Sequence, residues 1–176
     1  RWLKAQPGRL FAPRLSMVVN WALTAGVATG IARGALHEFA SLAGEGTAGS
    51  MDVPLRDRAA VQGAVGRAEA VLGAARAYCS EAIGAVWDRA GAADTAELDR
   101  LVPPARLAIV HAMHAAVEVV DLLFAAAGTR AIFRRNGLER RFRDAHVAVL
   151  HGAGAPGHFE AGGRLALGLP ARAPFW

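Results

Sequence analysis

The chain has 176 residues, enough for one domain, and 53% of them are apolar while only 7% are aromatic, so the apolar content is mostly Ala, Val and Leu. Side chains of that size suit closely packed helices, which points to an all-α fold and away from a sheet. The single Cys79 excludes an internal disulfide and a metal site built on paired thiolates, and a net charge of +5 carried by arginine, with Lys4 the lone lysine, is only a weak pointer to nucleic acid or anionic membranes.

No charged, cleavable apolar leader follows Arg1, so a cytoplasmic location is expected. From about residue 15 to 43 the chain runs without proline, and Trp21, Ala25, Ala28, Ala32, Leu36 and Phe39 recur at helical spacing, which predicts a first long helix. Its most apolar window, residues 17–32, contains Asn20, Thr24 and Thr29 and falls short of the ~20 residues that span a bilayer, so a bundle helix is expected and no membrane partner. Gly26, Gly30 and Gly34 repeat every fourth residue at a cost of about 1 kcal/mol each relative to Ala. Either a close helix neighbour or a ligand against the backbone should offset that.

A second helix is predicted over about 57–90, where Val61, Val65, Ala68, Leu72, Ala75, Cys79, Ala82 and Val86 form a continuous seam at steps of four and three. Asp94 and Glu97 resemble a capping pair for a short helical piece. Pro103 and Pro104 then mark the start of a third helix, about 105–127, closed by Gly128, and a fourth follows over about 130–151. The glycines and prolines of 152–176 predict an extended tail. The simplest architecture is an antiparallel four-helix bundle occupying 1–176 as one domain.

On the fourth helix Leu138, Phe142, Ala145 and Val149 make a core-facing stripe, and His151 projects from nearly the opposite side together with Arg140 and Asp144. Asp144 lies two turns from His151, ~10 Å along the axis, too far for a direct hydrogen bond. By periodicity alone His151 reads as a solvated helix-end histidine. His111 and His114 sit one turn apart without a third ligand at metal spacing, so both are expected in the core or at an interface, with no metal bound. Arg130, Arg134, Arg135, Arg140, Arg141 and Arg143 form a basic stretch that could meet phosphate. Pairing of Glu139 with Arg143 and of Arg140 with Asp144 is its first reading, a cofactor phosphate the second, and nucleic acid the third, because Phe133 and Phe142 fit a core better than a stacking platform.

Gly128-Thr129-Arg130-Ala131-Ile132-Phe133, then Asn136-Gly137-Leu138-Glu139-Arg140, then Arg143-Asp144-Ala145-His146 followed by His151, together resemble the closing signature of the acyl-CoA dehydrogenase superfamily. Residues 26–36 resemble the first helix of that family's C-terminal domain, and 55–78 the second. The resemblance implies a fragment of a larger enzyme, in which a flavin, FAD or FMN, sits between a β domain and this bundle and is often touched by a neighbouring subunit of a homotetramer. It places Gly128, Thr129 and Arg143 on the cofactor side.

Dehydrogenases of this family carry a glutamate base just after the Arg-Asp helix, or a carboxylate on the first bundle helix. Here His151 and Gly152 stand in the first place, and residues 15–36 hold no Asp or Glu. A histidine at this position resembles the monooxygenase branch, which takes reduced flavin from a separate reductase and oxygenates a small organic substrate. The resemblance therefore implies His151 as the catalytic group, accepting a proton or donating a hydrogen bond beside the flavin, with Asp144 and His146 behind it. Two other readings stay open: an acyl-CoA dehydrogenase-type flavoenzyme acting on CH–CH groups, and a non-catalytic helical module for assembly or nucleic-acid binding.

Overall fold

Three long helices and two short ones make up most of the described residues. The computed structural model describes residues 10, 13–44, 53–90 and 95–172, among which there is no strand. The helices are α1 (Pro13–Gly44), α2 (Ala59–Arg89), α3 (Thr95–Ala127), α4 (Leu138–Ala148) and α5 (Gly157–Ala166). Single 3-10 turns at Leu55–Asp57, Gly128–Ile132, Arg134–Asn136 and Gly152–Gly154 join them.

The core is built largely from alanine. Ala25, Ala28, Ala32 and Ala35 of α1 and Ala105, Ala108, Ala112 and Ala116 of α3 are all buried, and these two helices pack directly on one another. Side chains this small let helix axes approach to the short end of the usual 8–10 Å. α2 runs antiparallel to α3, as the Arg67–Glu118 ion pair at 2.8 Å and the Cys79 Sγ–H to Ala108 carbonyl bond at 3.2 Å require. Of the predicted α2 seam, Val61, Ala68, Leu72, Ala75, Ala82 and Val86 are buried, and Val65 and Cys79 pack against them. Burial pushes the Cys79 thiol up to about 11. The all-α antiparallel bundle is thus the fold observed.

The starts of α3 and α4 differ from the sequence reading. α3 begins at Thr95 and carries Pro103 and Pro104 inside it. The prolines forgo two helix hydrogen bonds, but their φ is already helical, and buried Leu98 and Val102 hold the turns before them against the core. Asp94, the expected cap, lies outside the described residues. The fourth helix begins at Leu138 rather than near 130, because Gly128 (φ 58°) and Gly137 (φ 71°) adopt left-handed backbone that no helix contains. Between them Asn136 bridges the turns, its Nδ2–H donating to the Arg130 carbonyl at 2.7 Å and its Oδ1 accepting from the Leu138 amide at 3.1 Å.

The segment beyond His151 is not an extended tail. It makes a 3-10 turn and the ten-residue α5, which packs on α3. Its glycines permit a close approach rather than preventing structure. A Cβ on Gly162 would come within 2.5 Å of Leu107 Cδ2, and one on Gly154 would run into the Val149 carbonyl oxygen.

α1 and α3 are also longer than the sequence window suggested, and by length and composition each could cross a bilayer. The most apolar stretch of α3 is 56% buried in the bundle and that of α1 only 28%. The repeated glycines of α1 divide accordingly: the Arg141 guanidinium lies across Gly34, while a Cβ on Gly26 or Gly30 would meet nothing within 4 Å. Gly30→Ala should therefore stabilise this chain by about 0.5–1 kcal/mol, raising the melting temperature by about 1–4 °C. Gly154→Ala should destabilise it by about 1–3 kcal/mol. Thermal unfolding followed by circular dichroism reads both signs.

Candidate active site

α1 and α4 cross at Gly34, where Arg141 lies on the bare backbone and reaches Glu38 at 3.8 Å. Away from that crossing a groove opens between them. One part is lined by Asn20, Leu23, Thr24, Leu150 and His151, the next by Ile31, Arg143, Asp144 and His146, and Val27, Val147 and Ala148 border both. Its apolar walls are exposed: Leu23 is 67%, Val27 61%, Val147 68% and Leu150 81% accessible. The α1 carboxylate that the sequence lacks before residue 37 is lacking from the groove too, since Glu38 is engaged at the crossing.

His151 is not on α4. That helix ends at Ala148, and His151 is the extended residue that opens the Gly152–Gly154 turn, with φ −60° and ψ 148°. Its Nδ1 accepts the Ala153 amide N–H at 3.1 Å, and its carbonyl accepts the Gly154 N–H at 2.7 Å. An amide N–H can only donate, so Nδ1 must present its lone pair. The neutral ring is then the tautomer with the proton on Nε2.

Two further histidines hold the same turn. His158 Nε2–H donates to the Gly152 carbonyl and His114 Nε2–H to the Gly154 carbonyl, both at 2.9 Å. His158 is buried, edge-on to the Trp21 ring at 4.8 Å between centroids, and His114 is edge-on to Phe159 at 5.3 Å. Burial pushes the His158 imidazole below its usual value, the bond to Gly152 pulls it back, and nearby Arg106 pushes it down again. Arg106 is itself buried, with its guanidinium 3.5 Å above the Trp21 ring centre, and burial lowers it to about 10.

The other predicted residues fall in two places. His146 donates from Nδ1 to the Phe142 carbonyl at 2.8 Å, stacks on the Phe142 ring at 4.2 Å and faces Asp121 of α3 at 3.4 Å. Asp144 meets Arg140 at 3.4 Å and Arg143 meets Glu139 at 2.6 Å, the intrahelical pairs that the four-residue spacing implied. All of these border the groove that holds His151, whereas Gly128 and Thr129 stand at the far end of α3. His114, which contacts the His151 turn, is ~20 Å along the helix axis from Gly128. Phe142 packs against Phe124 as expected of a core ring, but Phe133 is 48% exposed with Arg135 over its face, because the 3-10 turns around it point it outward. Among the described residues no cluster of three or more His, Cys, Asp or Glu could hold a metal.

Sequence reasoning missed Asn20 and Thr24, which line the groove together with His151, and it missed His158 and Arg106. The signal for His158 was present: His158, Ala161, Gly162 and Leu165 follow at helical spacing, hidden by the glycines around them.

The chain matches the family described as acyl-CoA dehydrogenase, C-terminal domain, over residues 22–155. It is 34% identical to the indole-3-acetate monooxygenase of Pseudomonas putida over 125 residues, which is 71% of this chain and 32% of that protein. A dibenzothiophene monooxygenase from a Paenibacillus species superposes with a TM-score of 0.79 at 24% identity, covering 95% of this chain and 45% of that one. XiaF from a Streptomyces species, in complex with FADH2 and glycerol, superposes with a TM-score of 0.78 at 24% identity, covering 96% of this chain and 42% of that one. The chain thus spans about a third of the curated relative and under half of the solved chains, and the structural likeness carries the fold.

A groove walled by exposed Val and Leu should bind an environment-sensitive dye such as ANS in the isolated chain. Val147→Asp with Leu150→Asp should reduce that fluorescence several-fold while changing stability by no more than about 0.5 kcal/mol per substitution. Unchanged fluorescence would place the accessible apolar surface elsewhere.

Proposed function

The chain belongs to the acyl-CoA dehydrogenase C-terminal domain family, and from that premise we propose that it is the helical part of a flavin-dependent monooxygenase acting on a small organic substrate. The observation that carries this reading is His151, which lines an apolar groove at the place where dehydrogenases of this family hold a glutamate. The 34% identity to a monooxygenase supports the same choice. Reduced flavin, when bound, supplies the two electrons with which one atom of O2 enters the substrate while the other leaves as water.

The residues present suit such a cofactor. Leu23, Val27, Val147 and Leu150 offer an apolar wall for an aromatic ring and keep water from it. His151, with Nδ1 already accepting from Ala153, turns Nε2–H toward that wall as a fixed hydrogen-bond donor for oxygen. Preorganised donors of this kind cost no reorganisation when charge develops and are worth about 10²–10³-fold each. Asn20 and Thr24 border the same end of the groove and are placed to meet a polar group of the substrate. Arg143 stands at the other end, where its guanidinium suits an anionic part of the cofactor. Gly128 and Thr129, at the opposite end of α3, contact cofactor only through its extended tail or from a neighbouring copy. By the same reading the complete enzyme is a cytoplasmic homotetramer supplied by a flavin reductase, and the exposed groove is the wall that the rest of the protein covers.

In the complete enzyme His151→Ala should lower oxygenated product formed per O2 consumed by about 10²-fold or more with little change in thermal stability. Turnover equal to wild type would remove His151 from the chemistry. Rapid bleaching of the bound oxidised flavin by an acyl-CoA thioester would replace this reading with the dehydrogenase one.

A further inference from the structure

A catalytic imidazole is useful only if its ring orientation and tautomer are set in advance, since a neutral histidine otherwise divides between two tautomers. In this chain neither is set by a carboxylate. Asp144 is engaged by Arg140 and no acidic side chain bonds His151 among the described residues. The Ala153 amide takes that part, so everything depends on where the Gly152–Gly154 turn points this amide.

We infer that His114 and His158 are positioning residues that hold this turn, and through it fix His151 as an Nε2–H donor toward the groove. They grip its two end carbonyls from opposite elements, His158 from α5 onto Gly152 and His114 from α3 onto Gly154. Carbonyls only accept, so both histidines must carry their proton on Nε2, just as the Ala153 N–H requires a bare Nδ1 on His151. Three backbone groups thereby settle three imidazoles. Each gripping ring is itself held by an aromatic neighbour, Trp21 for His158 and Phe159 for His114. Ala153 and Gly154 are buried, and the Val149 carbonyl and Met113 leave no room at Gly154 for a side chain, so the turn cannot re-pack around a missing partner without moving. The consequence for chemistry is specific. A base acting through Nε2 needs its proton on Nδ1, and this turn forbids that; His151 gives a hydrogen bond rather than taking a proton. The inference rests on the reading of His151 as the reacting side chain.

The test is the tautomer itself, read by long-range proton–nitrogen NMR on the 176-residue chain carrying nitrogen-15 histidine. Neutral His151 in the wild type should show a protonated Nε2 and a bare Nδ1; a protonated Nδ1 would overturn the inference with no variant needed. In His158→Leu and His114→Leu the His151 signals should move toward a tautomer mixture, and His158→Gln and His114→Gln, which restore an N–H donor, should return them to the wild-type pattern. A folded double-Leu variant that retains the pure wild-type tautomer would overturn it equally. In the complete enzyme the Leu variants should lose about tenfold or more in product formed per O2 consumed, with half-saturation by reduced flavin unchanged and rescue by Gln. If the tautomer shifts as expected while oxygenation does not change, the clamp stands and the assignment of His151 to the chemistry falls.

Discussion

The whole site depends on how closely the chain after α4 can approach α3. Gly154 passes the Val149 carbonyl and Met113 at a distance that leaves no space for a Cβ, and Gly162 seats on Leu107 in the same way. These two contacts dock the turn and α5 onto the long helix and bring His158 and His114 to the carbonyls on either side of Ala153. The glycines here are therefore what allows the segment to fold tightly, even though each one lowers helix propensity. Dense packing makes the arrangement stiff, since a close-packed interior has few alternative arrangements of similar energy.

The groove follows from an opposite condition on α1 and α4. Where Gly34 is bare, Arg141 fills the space and the helices are pinned; beyond it, a channel with Val and Leu walls remains exposed. Half of the basic stretch around it is neutralised locally, with Arg140, Arg141 and Arg143 each paired to a carboxylate. Among the described residues, the one charge taken into the interior is Arg106, which lies over the Trp21 ring, whose electron-rich face favours a cation there.

Much of this was legible from residue order. The α2 seam from Val61 to Val86, the Ala25, Ala28 and Ala32 face of α1 and the Leu138 to Ala145 stripe of α4 all follow from side chains that recur with the helical period, a local property that needs no knowledge of neighbours. The absence of a glutamate just after the Arg-Asp motif and the presence of His151 are likewise properties of the sequence. The errors came where local rules compete with packing. Pro103 and Pro104 read as a helix start, yet buried Leu98 and Val102 carry the helix through them. The glycines of 152–168 read as an extended tail, yet burial of His158, Ala161 and Gly162 against α3 selects a helix.

Residue order by itself thus determined the helical class and the family, because the first is set by composition and period and the second by motif. What only the tertiary structure decided is which groups meet around His151. Two turns of helix separate Asp144 from His151, so no carboxylate nearby in sequence bonds the ring; the amide of Ala153, two residues on, does, and the turn that carries it is held by histidines 37 positions upstream and 7 downstream of His151 in the chain. Hydrogen bonds act over about 3 Å whatever the separation along the chain, and only the folded packing of α3 and α5 brings those groups within that reach.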